Sequence, residues 1–162
     1  MTIRQVSYTS RLLAEALVPS PQVAVISIID PGTPLASLKA GFSRILRLAF
    51  YDAVPADEYL PAPLSGMFDQ RMARRIDDFV REVHAAPAVF SLLVHCEHGV
   101  SRSAAVALFA AAYARAPLAA REFAFDANQW VVDLLTRLHP ELSIEIPDAE
   151  DAGERRALPR AA

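Results

Sequence analysis

Three short segments of the chain are dense in apolar residues, and the first of them ends at residues that favour a turn. Residues 22–29 are rich in β-branched side chains and stop at Asp30-Pro31-Gly32, and residues 45–50 and 91–95 are shorter runs of the same kind. Apolar runs of about four to eight residues that end at Gly or Pro are typical of buried β-strands. The pattern therefore predicts three strands.

The other apolar residues recur at helical spacing. Residues 67–83 place apolar side chains on one face and charged ones on the other, which predicts an amphipathic helix. Residues 104–114 are apolar on every side, which favours a buried helix, and residues 118–125 and 128–138 predict two more. Asn128 is suited to cap the last of these. Strands that alternate with helices predict a single-domain α/β fold with a mostly parallel central sheet flanked by helices.

Composition agrees with one globular domain. The chain has 162 residues, of which 53% are hydrophobic and 22% charged. We expect the domain to span residues 1–147 and a flexible tail to follow over residues 148–162, where no periodicity is left. The net charge of −3 gives no sign of the basic surface that a nucleic-acid partner requires.

Cysteine usage and hydropathy bear on location. The single cysteine, Cys96, excludes an intramolecular disulfide framework and favours a reducing compartment. No apolar signal region follows residues 1–5, and the longest apolar run, residues 104–114, has eleven residues where a membrane span needs about twenty. We expect a soluble, cytoplasmic protein without membrane association.

The residues capable of chemistry are concentrated directly after the predicted strand 91–95. Cys96 ends that strand and Arg102, with five residues between them, begins the buried helix. Parallel strands place ligands at their carboxyl ends, and backbone N–H groups at a helix start form an anion site. Gly99 lies where a tight turn needs a positive φ. The N–H groups at the helix start favour a thiolate at Cys96. The planar guanidinium of Arg102 is suited to bind two phosphate oxygens at once. The pattern therefore indicates transfer of a phosphoryl group to sulfur.

The motif His95-Cys96-x-x-Gly99-x-Ser101-Arg102-Ser103 resembles the signature loop of the cysteine-dependent protein tyrosine phosphatases in its dual-specificity form. The chain as a whole is most similar to small bacterial tyrosine phosphatases of that superfamily, over about residues 22–138. The resemblance implies a cysteine-phosphatase-like fold and a phosphomonoester hydrolase that forms a phosphocysteine. Its substrate would be a phosphorylated protein or a small phosphate ester, and no metal or other cofactor would be needed.

The resemblance also implies a role for each residue of the loop. Cys96 would be the nucleophile, Ser103 would hydrogen-bond its sulfur, and His95 would fix the loop from behind. Arg102 would bind the phosphate together with the backbone amides of the loop, which belong to Glu97, His98, Gly99, Val100, Ser101 and Arg102.

A general acid must protonate the leaving group, and in the family an aspartate upstream of the cysteine supplies it. Asp52 follows the second predicted strand, at the edge of the sheet where Cys96 lies, and matches the family's position. Asp57, in the proline-containing segment 53–65, is the rival. Asp69 opens the amphipathic helix and is interpreted as a charge at the helix N-terminus.

Other interpretations of the loop remain open. The substrate of the hydrolase would instead be an inositol phosphate, a nucleotide or an RNA 5′ end, although the charge of Glu97 disfavours a polyanion. A second alternative is that the domain is a catalytically silent phosphate-binding module. A third is that Cys96 is a buried structural thiol. A metal site on residues 95–98 is disfavoured, because adjacent residues point to opposite sides of a strand and zinc ligands are spaced further apart.

Overall fold

The parallel sheet is confirmed by a computed structural model, which describes residues 2–55, 65–150 and 152–153. Within these residues the strands are β1 (Ile3–Ser10), β2 (Val23–Ile29), β3 (Arg44–Ala49) and β4 (Phe90–Cys96). Their order across the sheet is β1-β4-β2-β3, and every pairing is parallel. All four carboxyl ends therefore lie at one edge.

The helices of the described residues pack against the sheet and against one another. They are α1 (Arg11–Ala16), α2 (Gln70–Ala85), α3 (Arg102–Ala114) and α4 (Gln129–Leu138), with a 3₁₀ helix at Arg121–Asp126. Helix α3 packs against β1 and β4 and is covered by α4, and α2 contacts β3 and α4. The chain is thus a single-domain α/β structure in which helices flank a four-stranded sheet.

Helix α3 is buried along nearly its whole length, as its sequence predicts. Its alanines at 104, 105, 107, 110 and 111 and the side chains of Val106, Leu108 and Phe109 are all buried. Small side chains allow a helix to lie close to a sheet, and close packing maximises dispersion contacts. The loop that precedes α3 is therefore held on a rigid support.

Strand β1 and helix α1 were not predicted. Strand β1 stands at the edge of the described sheet, next to β4, and an irregularity between Ile3 and Gln5 interrupts the period-two alternation that identifies a strand. Helix α1 has only six residues and starts where Ser10 accepts a hydrogen bond from the backbone of Leu13 at 3.3 Å. A helix of that length has too few turns for a periodic signal.

The predicted helix over residues 118–125 is wrong at its start. Leu118 forms a parallel bridge with Val6, and the neighbouring backbone groups of Pro117 and Ala119 exchange hydrogen bonds of 3.0 and 2.9 Å with Val6. Pairing with the edge of β1 fixes this segment as extended chain. A turn follows at residues 119–120, and residues 121–126 form a 3₁₀ helix.

The remaining boundaries differ by small amounts. Helix α2 begins at Gln70 and not at Met67, because the carboxylate of Asp69 caps it by accepting from the backbone of Met72 at 2.9 Å. The division between residues 1–147 and 148–162 stays a prediction, although Ala152 is buried. No helix among the described residues is both long and apolar enough to span a membrane.

Candidate active site

Cys96 stands at the carboxyl end of the central strand β4 and is 2% exposed. Its Sγ lies 3.1 Å from Oγ of Ser103, which is in the first turn of α3 and is fully buried. The sulfur is thus fixed between the strand and the helix. When it is ionised, the Ser103 hydroxyl is placed to donate a hydrogen bond to it.

Gly99 shapes the loop between β4 and α3. Its φ is +71°, as the sequence predicts, and a Cβ at this position would lie 2.4 Å from both the backbone N of Ser10 and the backbone C of Thr9. No side chain fits there, because the obstructing atoms are backbone. The loop therefore lies directly on the carboxyl end of β1.

The backbone amides of the loop are available to a ligand. The hydrogen bonds found within the described residues include none donated by the N–H groups of residues 97–102. The cap residue Ser101 does not cap α3 through its side chain, so the helix start also stays open. Converging free N–H groups at a helix N-terminus make a site for an anion.

The side chain of Arg102 is 5% exposed and is fixed by contacts to two strand ends. Its Nη1 donates to the Asp30 carboxylate at 2.7 Å and to the Phe50 carbonyl at 2.6 Å, so the ends of β2 and β3 both fix it. Its Nε is buried and has no partner among the described residues. A buried donor without an acceptor costs about 1–3 kcal/mol, which an anion in the loop would recover.

His95 lies behind the loop and is fully buried. Its Nε2 is 2.5 Å from Oγ of Ser27 on β2, and its Nδ1 is 3.4 Å from the carbonyl oxygen of Cys96. Burial lowers the pKa of His95 below the ordinary value, and the Cys96 carbonyl opposes this shift. A neutral ring that links β4 to β2 fits a role in fixing the strand end.

Asp52 lies directly over the loop. Its Oδ1 accepts from Oγ of Ser101 at 2.8 Å and from Nδ2 of Asn128 at 2.9 Å. Its Oδ2 has no hydrogen-bond partner among the described residues. The rival acid, Asp57, lies outside the described residues. The interpretation of Asp69 as a residue of the helix N-terminus is confirmed by its cap on α2.

The outer side of the loop faces α1. The Glu97 carboxylate is 3.8 Å from Nη1 of Arg11, and His98 and Val100 are exposed. Glu97, His98 and Arg11 also line a cavity of about 410 Å³ beside the loop. The charge of Glu97 is thus directed to a cation on α1.

Two residues of the site were missed. Asp30 was interpreted only as the end of a strand and Asn128 only as a helix cap, a role that its bond to the Val131 backbone confirms. Asp30 reaches Arg102, and Asn128 reaches Asp52, across 72 and 76 residues of chain. The only local signal was the place of Asp30 at the carboxyl end of a buried strand.

No cluster of three or more His, Cys, Asp or Glu side chains that could hold a metal ion occurs in the described part of the chain.

No family model and no curated protein matches the chain.

Two solved structures of human DUSP28, a dual-specificity phosphatase, are similar to it. One is of a single-residue variant, with 18% identity, a TM-score of 0.39 and coverage of 92% of this chain and 85% of that one. The other has 18% identity, a TM-score of 0.38 and coverage of 93% and 88%. Such values say nothing of activity, so the function rests on the chemistry of the loop.

Proposed function

We propose that this chain is a phosphomonoester hydrolase that works through a phosphocysteine on Cys96, with a phosphorylated protein as its substrate. The observation that carries the proposal is the buried Arg102. Its Nη1 is bound to Asp30 and Phe50, and its Nε has no described partner. A guanidinium so oriented next to free loop amides supports recognition of a tetrahedral dianion.

In the first step the Cys96 thiolate attacks phosphorus. The bond between phosphorus and the ester oxygen breaks, and that oxygen takes a proton from Asp52. The equatorial oxygens of the transition state are held by Arg102 and the amides of residues 97–102. The products of this step are the free alcohol and S-phosphocysteine.

In the second step water attacks the phosphocysteine. The Asp52 carboxylate takes a proton from the water, and the phosphorus–sulfur bond breaks. The electron pair returns to Cys96 as a thiolate, which the hydroxyl of Ser103, 3.1 Å away, stabilises. The sum of the two steps is an ester and water giving an alcohol and inorganic phosphate, with the enzyme regenerated and no cofactor consumed.

The residues around the loop favour an aryl ester over a polyanion. Val100 and Val54 are exposed. In the chain Val100 precedes Ser101 and Val54 follows Asp52 by two residues, and Ser101 and Asp52 hydrogen-bond each other. The described loop residues include no lysine that would bind additional phosphates, and the cation nearest to Glu97, Arg11, is occupied by that carboxylate at 3.8 Å. We therefore place phosphotyrosine in protein first among the substrates, with phosphoserine and phosphothreonine after it.

The test is hydrolysis of p-nitrophenyl phosphate and of matched phosphotyrosine and phosphoserine peptides, with and without vanadate. We expect vanadate-sensitive turnover, no loss with a chelator, and faster release from the phosphotyrosine peptide. Cys96→Ser should abolish turnover and still bind inorganic phosphate, because the amides and Arg102 remain. Arg102→Lys should lose the two-point grip and most of the rate.

Two results would contradict the proposal in different ways. Phosphate binding without any turnover would make the domain a phosphate-binding module. Turnover that survives Cys96→Ser would remove the phosphocysteine route, since no other thiol exists in the chain.

A further inference from the structure

Asn128 makes more hydrogen bonds than a helix cap requires. Its Oδ1 accepts from the backbone of Val131 at 3.1 Å, which is the cap of α4. Its Nδ2 donates to Oδ1 of Asp52 at 2.9 Å and to the carbonyl of Ala53 at 3.1 Å. Its backbone N–H donates to the carbonyl of Ser101 at 3.1 Å. One residue, 4% exposed, therefore connects α4, the segment after β3 and the loop before α3, the first two through its side chain and the last through its backbone N–H.

The bonds to Asp52 and Ala53 are not explained by capping. A serine or an aspartate at an N-cap stabilises a helix about as well as an asparagine does, but neither carries an amide that can donate to a carboxylate and a carbonyl together. The Nδ2 group of Asn128 makes its described hydrogen bonds only to Asp52 and Ala53, whereas Oδ1 makes the helix cap. Asn128 is buried although Asp52 is exposed, so this part-buried hydrogen bond to a charged group is stronger than one made in open water.

We propose that Asn128 is a positioning residue for the general acid, an inference that rests on the proposed function and on Asp52 as its acid. Asn128 and Ser101 both bind Oδ1 of Asp52. The carboxyl group is fixed against the phosphate loop by that oxygen, and Oδ2 is left to carry the proton that the leaving group receives. The acid is thus in place before substrate arrives.

The test compares serine variants at two helix caps. Asn128→Ser keeps the cap of α4 and removes the amide that binds Asp52. Asp69→Ser makes the same kind of change at the cap of α2, whose carboxylate binds only the backbone of Met72 among the described contacts. Both variants are to be checked for folding by thermal unfolding, and Asp52→Asn is measured beside them as the reference for loss of the acid.

The readout is the ratio of kcat on phenyl phosphate to kcat on p-nitrophenyl phosphate. A general acid contributes roughly 10²–10⁴-fold where the leaving group needs a proton and little where it does not. We expect Asn128→Ser to reduce kcat on phenyl phosphate by about tenfold or more and that on p-nitrophenyl phosphate by less than about threefold. Asp69→Ser should leave the ratio unchanged.

A second variant covers a failure of Asn128→Ser to fold. Asn128→Asp retains the shape and the cap acceptor, and it replaces the amide by a carboxylate that repels both Oδ1 of Asp52 and the Ala53 carbonyl. We expect the same selective loss with phenyl phosphate.

The outcomes separate the inference from the function beneath it. If Asp52→Asn lowers the ratio and the Asn128 variants do not, or if they lower both rates equally, the positioning role is wrong and the phosphatase remains. If Asp52→Asn itself leaves the ratio unchanged, the acid is another residue and the inference fails with it. A wild-type protein without turnover would overturn both.

Discussion

The carboxylate of Asp30, at the end of β2, lies 2.7 Å from Nη1 of Arg102, the first residue of α3. The guanidinium is a planar group with five N–H donors in fixed directions. When Nη1 is bound to Asp30 and to the Phe50 carbonyl, the direction of Nε is set as well. The orientation of the side chain that we propose binds phosphate is thus fixed by residues that need not touch substrate.

Replacing Asp30 therefore tests how much that orientation contributes. A hydrogen bond to a charged group is worth about 1.5–3 kcal/mol, so Asp30→Ala should lower kcat/KM for p-nitrophenyl phosphate by at least about tenfold. Inhibition by vanadate should weaken in parallel. Asp30→Asn, which keeps an acceptor, should lose less.

The exposed pair Arg44–Glu82, at 3.9 Å, supplies the control for the Asp30 variants. Exposed ion pairs contribute little, so Glu82→Ala should leave both quantities unchanged. Wild-type kinetics in Asp30→Ala would mean that Phe50 alone orients Arg102.

Gly99 gives a prediction that separates backbone strain from steric exclusion. Gly99→Ala would place a methyl group 2.4 Å from backbone atoms of Thr9 and Ser10 that cannot rotate away. We expect the loop to be displaced, phosphate affinity to fall by more than about tenfold, and the free energy of unfolding to drop by more than the 1–3 kcal/mol that an unfavourable φ costs.

Gly32 provides the matched control for Gly99. It also has a positive φ, +80°, but nothing lies within 4 Å of its hypothetical Cβ. Gly32→Ala should show only the cost of the φ angle. Equal losses of stability in the two variants would contradict the steric argument and leave strain as the whole effect.

Peroxide should inactivate the protein at Cys96. The proposed mechanism requires a thiolate at Cys96, which oxidises readily to sulfenic acid, and no second cysteine exists to trap it as an intrachain disulfide. Intact-mass measurement should show added oxygen in proportion to lost activity, and glutathione present during treatment should give a mixed disulfide that a thiol reverses. Lost activity without a mass change on residue 96 would place the sensitive group elsewhere.

The segment from His95 to Ser103 could be predicted because its functional groups are contiguous. A buried strand, a glycine with positive φ and a helix start follow one another in the chain, and local structure alone brings Cys96 and Ser103 together. Strands β2 and β4 and helix α3 were predictable for a similar reason, since full burial requires apolar residues at nearly every position.

The groups that orient the site could not be predicted in this way. Asp30 contacts Arg102 only because β2 and β4 are neighbours in the sheet. The sequence of neither strand specifies which strand lies beside it. Asn128 has the sequence signal of a helix cap and is one, so nothing indicated its second role. Strand β1 was hidden because one edge strand with an irregular register shows no clean alternation.

His139 makes the stability of the fold depend on pH. Its Nε2 lies 2.6 Å from Oδ1 of Asp77 on α2, and its Nδ1 lies 3.1 Å from the Glu141 carboxylate. Only the protonated ring donates from both nitrogens. Although burial alone would lower the pKa of His139, the hydrogen bonds and charges of Asp77 and Glu141 raise it above 6.5. Asp77 is also bound to Arg81 at 2.7 Å, so these side chains join α2 to the end of α4.

A folded-state pKa above the unfolded value means that protonation of His139 stabilises the fold. This contribution is complete below the unfolded pKa of about 6.5 and is lost as pH rises through the folded pKa. Burial lowers the pKa of His95 and His84, so these residues favour stability at higher pH and partly mask the effect in the wild type. The measurement is therefore the difference in urea unfolding free energy between wild type and His139→Gln at pH 6 and pH 8. The difference should be larger at pH 6. A difference that stays constant or grows towards pH 8 would mean that the ring is neutral in the folded protein and acts through packing against Phe109 and Tyr113.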